Sequence, residues 1–340
     1  MDIDVDTFLT TVYYVVDDLY RAHYARYKPR RRGHRPELSD SEVLTLAVLA
    51  AWQRDRSERA FLAYVAAHWP RYFPRLLDQS AFNRRVHDLC GVLCALGPAM
   101  ARQIARLLPP SAYQVADGVP VPLMRRCRGA RHRTFATEAG LGCGGSDKDL
   151  YYGVELLVRC DQHGLITGFV IAPASTDERW QLEALLRWQC DPSASAPTAA
   201  EADGFLGASH KRGGGRVGPT GPLGPRLGVG QPSAAPLLTD LGFGGAAWQQ
   251  HWRVTYDATV LTKAVYPQRA DRSWFCRLRQ CIESVNGLLD QLLGLKFPRA
   301  RTRTGLYCRL AAKIIAYNLI LHHNLLTARP RFSPLNPLIA

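Results

Sequence analysis

Apolar residues recur every three to four positions through the first hundred residues, which is the spacing of one face of an α-helix. The pattern begins at residues 5–19 and returns at 58–68 and 80–93. Polar and charged residues separate these stretches, so each stretch predicts a separate helix. We therefore predict an all-helical N-terminal domain over residues 1–108.

Helix start signals support two of the N-terminal helices. Ser39 and Glu42 stand in the order of a capping box, in which each side chain binds the other residue's backbone N–H. Ser80 is predicted to cap a later helix, whose first turns carry Arg84 and Arg85. Short helices with arginines near one N-terminus suit a helix-turn-helix-like DNA-binding module, and a helical bundle without DNA is the alternative.

From about residue 109 the hydrophobic period changes towards two, which is typical of β-strands. Residues 154–159 carry alternating apolar positions, 161–164 have the composition of a turn, and 165–172 continue as a second strand. Together with the apolar run 113–116, this hairpin predicts three neighbouring strands.

A second helix start follows the hairpin. Ser175 and Glu178 are spaced as another capping box, which is predicted to open a helix over residues 180–188. Asp177 lies in the first turn, where a carboxylate stabilises the helix dipole, and we interpret it in that role rather than as a metal ligand.

Residues 191–235 differ in composition from the rest of the chain. They are rich in Gly, Pro, Ala and Ser, a composition that cannot build a hydrophobic core. No Lys-Ser or Lys-Thr pair follows the glycines at 213–215, so a phosphate-binding loop is not indicated. The segment is predicted to be a flexible insertion.

The charge balance favours a polyanionic partner. The chain has 43 Lys and Arg against 29 Asp and Glu, a formal net charge of +14, and 47% of its 340 residues are hydrophobic. Such a length can bury a sizeable core, and such an excess of positive charge favours DNA or RNA. A basic surface without a nucleic-acid partner is the alternative.

The sequence indicates neither a membrane-spanning helix nor a signal peptide. No apolar stretch approaches the roughly 20 residues of a membrane helix, and no signal-peptide pattern opens the chain. The nine cysteines include no CxxC pair, so a zinc site is not indicated. We expect reduced, mostly buried thiols in a cytoplasmic protein that does not contact a membrane.

Three acidic residues stand where a metal-dependent nuclease would place its ligands. Asp117 follows the apolar run 113–116, Asp240 follows the run 236–239, and Glu283 lies at the edge of the apolar stripe of a long amphipathic helix. Two carboxylates at strand ends and one on a helix can converge on a pair of Mg²⁺ ions. Such a pair of ions can cleave and rejoin phosphodiester bonds.

Five short blocks surround these acids in a fixed order between about residues 36 and 325. The blocks are Ser80-Ala81-Phe82-Asn83-Arg84-Arg85, Ala116-Asp117-Gly118-Val119-Pro120-Val121-Pro122, Lys148-Asp149-Leu150-Tyr151-Tyr152-Gly153 with Ser175-Thr176-Asp177, Asp240-Leu241-Gly242-Phe243, and Arg279-Gln280-Cys281-Ile282-Glu283. With these blocks in this order, the chain resembles the DDE transposases of bacterial insertion sequences.

The resemblance implies a mixed α/β fold, with an RNase H-like mixed sheet flanked by helices and an N-terminal all-helical domain. The catalytic domain would cover residues 109–330, interrupted by the 191–235 insertion and followed by a tail at 331–340. Asp117, Asp240 and Glu283 would hold two Mg²⁺ ions, with Mn²⁺ as a substitute.

The implied activity is Mg²⁺-dependent DNA strand cleavage followed by strand transfer through a 3′-hydroxyl. The implied partners are double-stranded DNA, as terminal inverted repeats and target, and a second copy of the chain in the active complex. The implied location is the bacterial cytoplasm, at the nucleoid. The DNA contacts assigned in this way are Arg279, Lys296, Arg272, Arg84 and Arg85.

Three positions depart from the family pattern. Cys276 stands where a tyrosine is usual, Asp290 stands where a lysine is usual, and Phe243 replaces a tyrosine; Lys296 is a substitute for the missing lysine. These groups would contact DNA rather than metal. Two alternative functions stay open: a catalytically inactive transposase-derived DNA-binding protein, and an RNase H-like nuclease acting on RNA–DNA hybrids.

Overall fold

A mixed sheet with helices on both faces forms the centre of the molecule. The computed structural model describes residues 5–25, 36–53, 57–129, 135–136, 138–144, 149–191, 235–265 and 268–334. The helices are α1 Val5–His23, α2 Asp40–Trp52, α3 Glu58–His68, α4 Gln79–Asp88, α5 Cys90–Ala105, α6 Arg126–Gly129, α7 Glu178–Cys190, α8 Ala246–Tyr256, α9 Arg269–Gln291 and α10 Arg303–Leu326. Short 3₁₀ turns lie at Leu241–Phe243 and Lys263–Val265.

The sheet combines antiparallel and parallel pairing. Its strands are β1 Gln114–Arg125, β2 Gly140–Gly144, β3 Asp149–Asp161, β4 Ile166–Pro173, β5 Leu237–Thr239 and β6 Val260–Thr262. β1 and β3 pair antiparallel along their whole length, and the other edge of β3 pairs antiparallel with β2 and then with β4. β5 is parallel to β1, and β6 is parallel to β5. The predicted mixed α/β class is confirmed.

Side chains along each strand point alternately to the two faces of the sheet, and each face forms a separate hydrophobic core. On β3, Leu156 and Val158 face the larger core, formed with α1, α2, α5, α9 and α10. Leu157 between them faces the smaller core, formed with α7 and α8. Because successive side chains of a strand point to opposite faces, a single strand supplies both cores.

The N-terminal helices share the larger core with the sheet and with α10. Leu46 of α2, Met100 of α5 and Leu310 of α10 are fully buried members of that one cluster. The boundary predicted at residue 108 falls between the end of α5 and the start of β1. The assignment of residues 1–108 as a domain of its own stays a prediction.

One helix cap matches the sequence prediction and two differ from it. Ser39 and Glu42 form the predicted capping box of α2. Asp78, not Ser80, caps α4, because its carboxylate accepts from the N–H of Ser80 and of Ala81. α7 begins at its cap Asp177, whose carboxylate accepts from a backbone N–H, and the predicted Ser175 box does not form its start. The structural role predicted for Asp177 is confirmed.

The hairpin of β3 and β4 is confirmed at its predicted place. Its turn is closed by Asp161, whose carboxylate accepts from the N–H of His163 and of Leu165. Gly164 adopts φ +84°, the left-handed region that favours glycine.

Residues 192–234 of the predicted insertion and 335–340 of the predicted tail lie outside the described residues.

The structure also bears on membrane-spanning helices and on the burial of the cysteines. Within the described ranges, no helix combines the length and the apolar character needed to cross a membrane. All nine cysteines are free thiols, but the expectation that they are mostly buried is wrong. The exposed ones are Cys127, Cys143, Cys190 and Cys276.

Candidate active site

The two aspartates lie side by side on neighbouring parallel strands. β1 pairs with β5 through Val115 and Leu238, and the ladder between them ends there. Two residues further along both strands, the same register places Asp117 opposite Asp240. Asp240 directly follows β5, as predicted. Asp117 is inside β1 rather than at its end, because β1 continues to Arg125 along β3.

Asp117 faces the long helix α9. It shares its side of β1 with Val115 and Val119, which belong to the larger core, and α9 packs against this strand. Ile282 and Val285 anchor α9 there, because both are fully buried. The alternation of the strand and the apolar stripe of the helix together determine which α9 residues reach the aspartates.

Arg279 of α9 bridges the two aspartates. Its Nη2 lies 3.3 Å from Oδ1 of Asp117, and its Nη1 lies 3.5 Å from Oδ1 of Asp240. The arginine side chain is 15% exposed, against 29% for Asp117 and 49% for Asp240. One guanidinium therefore offsets the repulsion between two carboxylates at the edge of the sheet.

Asn286 is a site residue that the sequence analysis missed. Its Nδ2 lies 3.5 Å from Oδ2 of Asp117, and its Oδ1 is buried with no hydrogen-bond partner. At about 100° per residue, Arg279, Glu283 and Asn286 lie within about 60° of one another around α9. The spacing of seven residues from Arg279 was the available signal.

Burial raises the pKa of Asp117 to about 6. The guanidinium of Arg279 and the N–H of Gly118 act in the opposite direction, whereas the carboxylates of Asp240 and Glu178 raise the pKa further. A metal ligand must be ionised, and burial makes the ionised form of Asp117 energetically unfavourable at neutral pH. A cation placed between the carboxylates would remove that cost.

Two glycines make room for glutamate side chains. A Cβ on Gly118 would lie 2.7 Å from Oε1 of Glu155, and a Cβ on Gly242 would lie 1.7 Å from Oε2 of Glu178. Glu178 is near enough to raise the pKa of Asp117, whereas Glu155 lies on the side of β1 opposite to Asp117 and accepts a hydrogen bond from Gln181 of α7. Neither glutamate was among the predicted site residues.

Glu283 does not join the aspartates in the structure. Its side chain is exposed and has no hydrogen bond or ion pair with another described residue. Among the described residues, no three acidic, histidine or cysteine side chains are grouped so that they could hold a metal ion. The structure thus brings together Asp117, Asp240 and Arg279, and the metal role of Glu283 stays a prediction.

The other predicted DNA contacts fall into two groups. Arg84 and Arg272 are exposed, and Nζ of Lys296 lies 2.8 Å from Oδ2 of Asp290, the position where the family usually has lysine. Arg85 is instead part of the fold: its Nη2 lies 2.7 Å from Oδ1 of Asp40. Arg85 thus has a structural partner, and its predicted DNA contact stays a prediction.

Replacement of Arg85 by alanine should lower the free energy of unfolding by about 2–3 kcal/mol, because it leaves the buried carboxylate of Asp40 without its cationic partner, with the hydroxyl of Tyr20 still bound to it. Asp40 is only 8% exposed in its side chain. The neighbouring Arg84→Ala is the matched control and should change stability by less than about 0.5 kcal/mol. Urea denaturation measures both values, and equal stabilities of the two variants would contradict the structural role.

Comparisons with known proteins found no counterpart for this chain. A scan against models of protein families, a search of curated proteins and a search of solved structures each returned no match.

Proposed function

We propose that this chain is a DNA transposase with an RNase H-like core, of the DDE kind carried by bacterial insertion sequences. It would cleave DNA strands at the element's ends by Mg²⁺-dependent hydrolysis and then join the 3′-hydroxyl to target DNA. The proposal places the protein at the nucleoid in the bacterial cytoplasm, acting as a dimer so that two ends are held together.

The observation that carries the proposal is the pairing of Asp117 and Asp240 on adjacent parallel strands. They are 123 residues apart in sequence, yet the β1–β5 register places them opposite each other. A residue of α9 bridges them, and Glu283 lies on the same side of that helix. Three of the five sequence blocks, those that contain Asp117, Asp240 and Arg279, thus meet at one place on the sheet.

The sheet supports the RNase H-like part of the proposal. β4, β3 and β1 form an antiparallel group, while β5 and β6 continue the sheet parallel to β1. Helices cover both faces, with α9 and α10 on one side and α7 and α8 on the other. This is a mixed sheet flanked by helices, as the resemblance implies.

The donor atoms at this edge suit magnesium. Asp117 and Asp240 offer carboxylate oxygens, Asn286 has an unpaired buried amide oxygen, and Mg²⁺ prefers oxygen ligands. When bound, the ions would activate the attacking oxygen and stabilise the leaving oxygen. Arg279 must then release the aspartates, which frees its guanidinium for a DNA phosphate. Glu283 must turn inward from its exposed position.

A DNA partner is supported by charge and exposure. The net charge of +14 favours a polyanion, and Arg84 and Arg272 are exposed residues. Lys296 remains 44% exposed while paired with Asp290. Binding through such phosphate contacts weakens as salt concentration rises, because counterion release drives it.

A second candidate is a catalytically inactive DNA-binding protein of transposase origin. The exposed position of Glu283 favours it, as does the absence of a ready three-ligand metal group within the described ranges. Under this alternative, binding to element ends survives in EDTA, and no Mg²⁺-dependent cutting of DNA occurs.

Transposition of a marked element should depend on Asp240 and Glu283. A donor plasmid would carry the gene, its flanking DNA and a resistance marker, and transfer of the marker to a target plasmid would be counted. Asp240→Ala and Glu283→Ala should each lower the frequency by about a thousandfold or more, because each removes a metal ligand.

Ser284→Ala is the matched control, since Ser284 is the exposed neighbour of Glu283 on α9. It should transpose like the wild type. Wild-type frequencies for both acid variants would show that the proposed metal chemistry is wrong. Mg²⁺-dependent cleavage of RNA–DNA hybrids in preference to duplex DNA would point to a nuclease instead.

A further inference from the structure

Arg159 is a buried cation without an acidic partner. It lies on β3, on the sheet face covered by α7 and α8, and it is 2% exposed. No carboxylate among the described residues forms an ion pair with it. A guanidinium removed from water is costly unless an anion or a full set of hydrogen bonds offsets the loss of hydration.

Hydrogen bonds satisfy only part of this guanidinium. Its Nε donates to Oγ1 of Thr167 at 3.1 Å, and its Nη1 donates to Oε1 of Gln189. Its Nη2 is buried with no hydrogen-bond partner. Burial lowers the pKa of Arg159 to about 10, so the group still carries its positive charge at neutral pH.

A cavity of about 230 Å³ adjoins Arg159. Gln114 and Gln189 contribute polar side chains to its wall, and the exposed Cys190 lies in its lining. Among the described residues of the wall, the one carboxylate belongs to Asp257, which is exposed. On the same measure of volume a single water needs about 10–15 Å³, so the cavity has room for a polyatomic anion.

We propose that this cavity binds a tetrahedral oxyanion of the phosphate class, with Arg159 as its principal ligand and Gln189 and Gln114 as neutral hydrogen-bonding groups. Arginine suits this ligand because its planar fork of N–H donors matches phosphate oxygens. The bound anion would supply the counter-charge that the buried guanidinium otherwise lacks.

The cavity is distinct from the candidate active site. Arg159 pairs across the ladder with Ala116, whose side chain faces the smaller core, whereas Asp117 faces α9. The two sites are therefore on opposite faces of the sheet. The proposal is independent of metal binding at Asp117 and Asp240, and either proposal can fail without the other.

Alkylation of Cys190 provides a direct test in the full-length protein. Inorganic phosphate should slow the reaction of Cys190 with iodoacetamide by about fivefold or more, relative to chloride at equal ionic strength. It should also raise the melting temperature by about 3 °C or more, because it binds the folded state. Mass spectrometry follows each thiol, and the exposed Cys127, Cys143 and Cys276 should react unchanged.

Arg159→Met should abolish both effects of phosphate, since methionine keeps an apolar stem of similar length and removes the charge. If that variant does not fold, Gln189→Leu serves as a second test and should weaken the protection at least about threefold. Protection of Cys190 that persists in a folded Arg159→Met protein would overturn the proposal. So would a wild-type alkylation rate that neither inorganic phosphate nor a 5′-phosphorylated strand changes, as expected for a cavity that holds only water.

The phosphate group can belong to a free anion or to the end of a nucleic acid strand. A 5′-phosphorylated oligonucleotide and its unphosphorylated twin separate these sources. Stronger protection by the phosphorylated strand assigns the site to strand ends. Protection by inorganic phosphate alone assigns it to a small anion. Either result supports the oxyanion site, and no protection by any of these probes contradicts it.

Discussion

Asp117→Asn is expected to abolish Mg²⁺-dependent DNA cleavage and, in the same protein, to raise the melting temperature of the metal-free form at pH 7. If Asp117 holds metal as proposed, loss of its carboxylate should lower the cleavage rate by about a thousandfold or more, or ~4 kcal/mol of transition-state stabilisation. The gain in stability has a separate cause, which is the burial of the ionised carboxylate.

The direction of the stability change follows from proton linkage. Folding raises the pKa of Asp117 from 3.8 to about 6, so between these values the folded chain holds more protons than the unfolded chain. The free energy of unfolding therefore falls as pH rises through this window, and the loss is complete by pH 7. A shift of this size corresponds to at most about 3 kcal/mol, and partial solvent screening reduces it.

Thermal unfolding at pH 4 and pH 7 separates this effect from a general change in stability. Asparagine cannot ionise, so the advantage of Asp117→Asn over the wild type should be present at pH 7 and nearly absent at pH 4. Added Mg²⁺ should stabilise the wild type more than the variant. Asp18→Asn, at an exposed position of α1, is the control. An advantage that is equal at both pH values would contradict the assigned cause.

Arg279→Gln is expected to destabilise the metal-free protein and to increase its stabilisation by Mg²⁺. Removing the guanidinium leaves Asp117 and Asp240 facing each other without a cation, which should cost about 1–2 kcal/mol at pH 7. A metal ion then no longer competes with an arginine for the same oxygens. We therefore expect the melting temperature of this variant to rise more steeply with Mg²⁺ concentration than that of the wild type.

A double-mutant cycle with Asp117→Asn tests whether the two side chains are coupled. If Arg279 stabilises the fold by pairing with Asp117, the destabilisation by Arg279→Gln should fall by at least half in the Asp117→Asn background. Arg277→Gln, at an exposed position of the same helix, should have little effect in either background. Equal destabilisation in both backgrounds would show that Arg279 acts without Asp117.

Local patterns predicted the elements that carry the site. The period of two over 154–159 and 165–172 predicted the hairpin, since side chains on a strand alternate between faces whatever they pack against. The apolar runs 113–116 and 236–239 predicted the strands beside which Asp117 and Asp240 lie. The structure adds that Gly118 and Gly242 are sterically required. Both glycines make room for glutamates that no local pattern pointed to.

Caps and surface charges were predicted less well. Ser80 and Asp78 are both good capping residues two positions apart, and sequence alone does not decide which begins α4. Arg85 was predicted to contact DNA, and its ion pair within the fold was not predicted. The partner in that ion pair, Asp40, is 45 residues away in the chain. A pairing over such a distance depends on how α2 and α4 pack, which their individual patterns do not specify.

The sequence by itself determined that a helical N-terminal part precedes a mixed α/β part. It also determined that Asp117 lies on a strand, that Asp240 directly follows one, and that Glu283 lies on the long helix. Periodicity is sufficient for this, because it records which side of each element is buried. Only the tertiary structure decided that Arg279 bridges the two aspartates, that Asn286 reaches Asp117, and that Glu283 is exposed. These relations depend on the β1–β5 register and on the rotation of α9 against β1, which are set by packing between segments far apart in the chain.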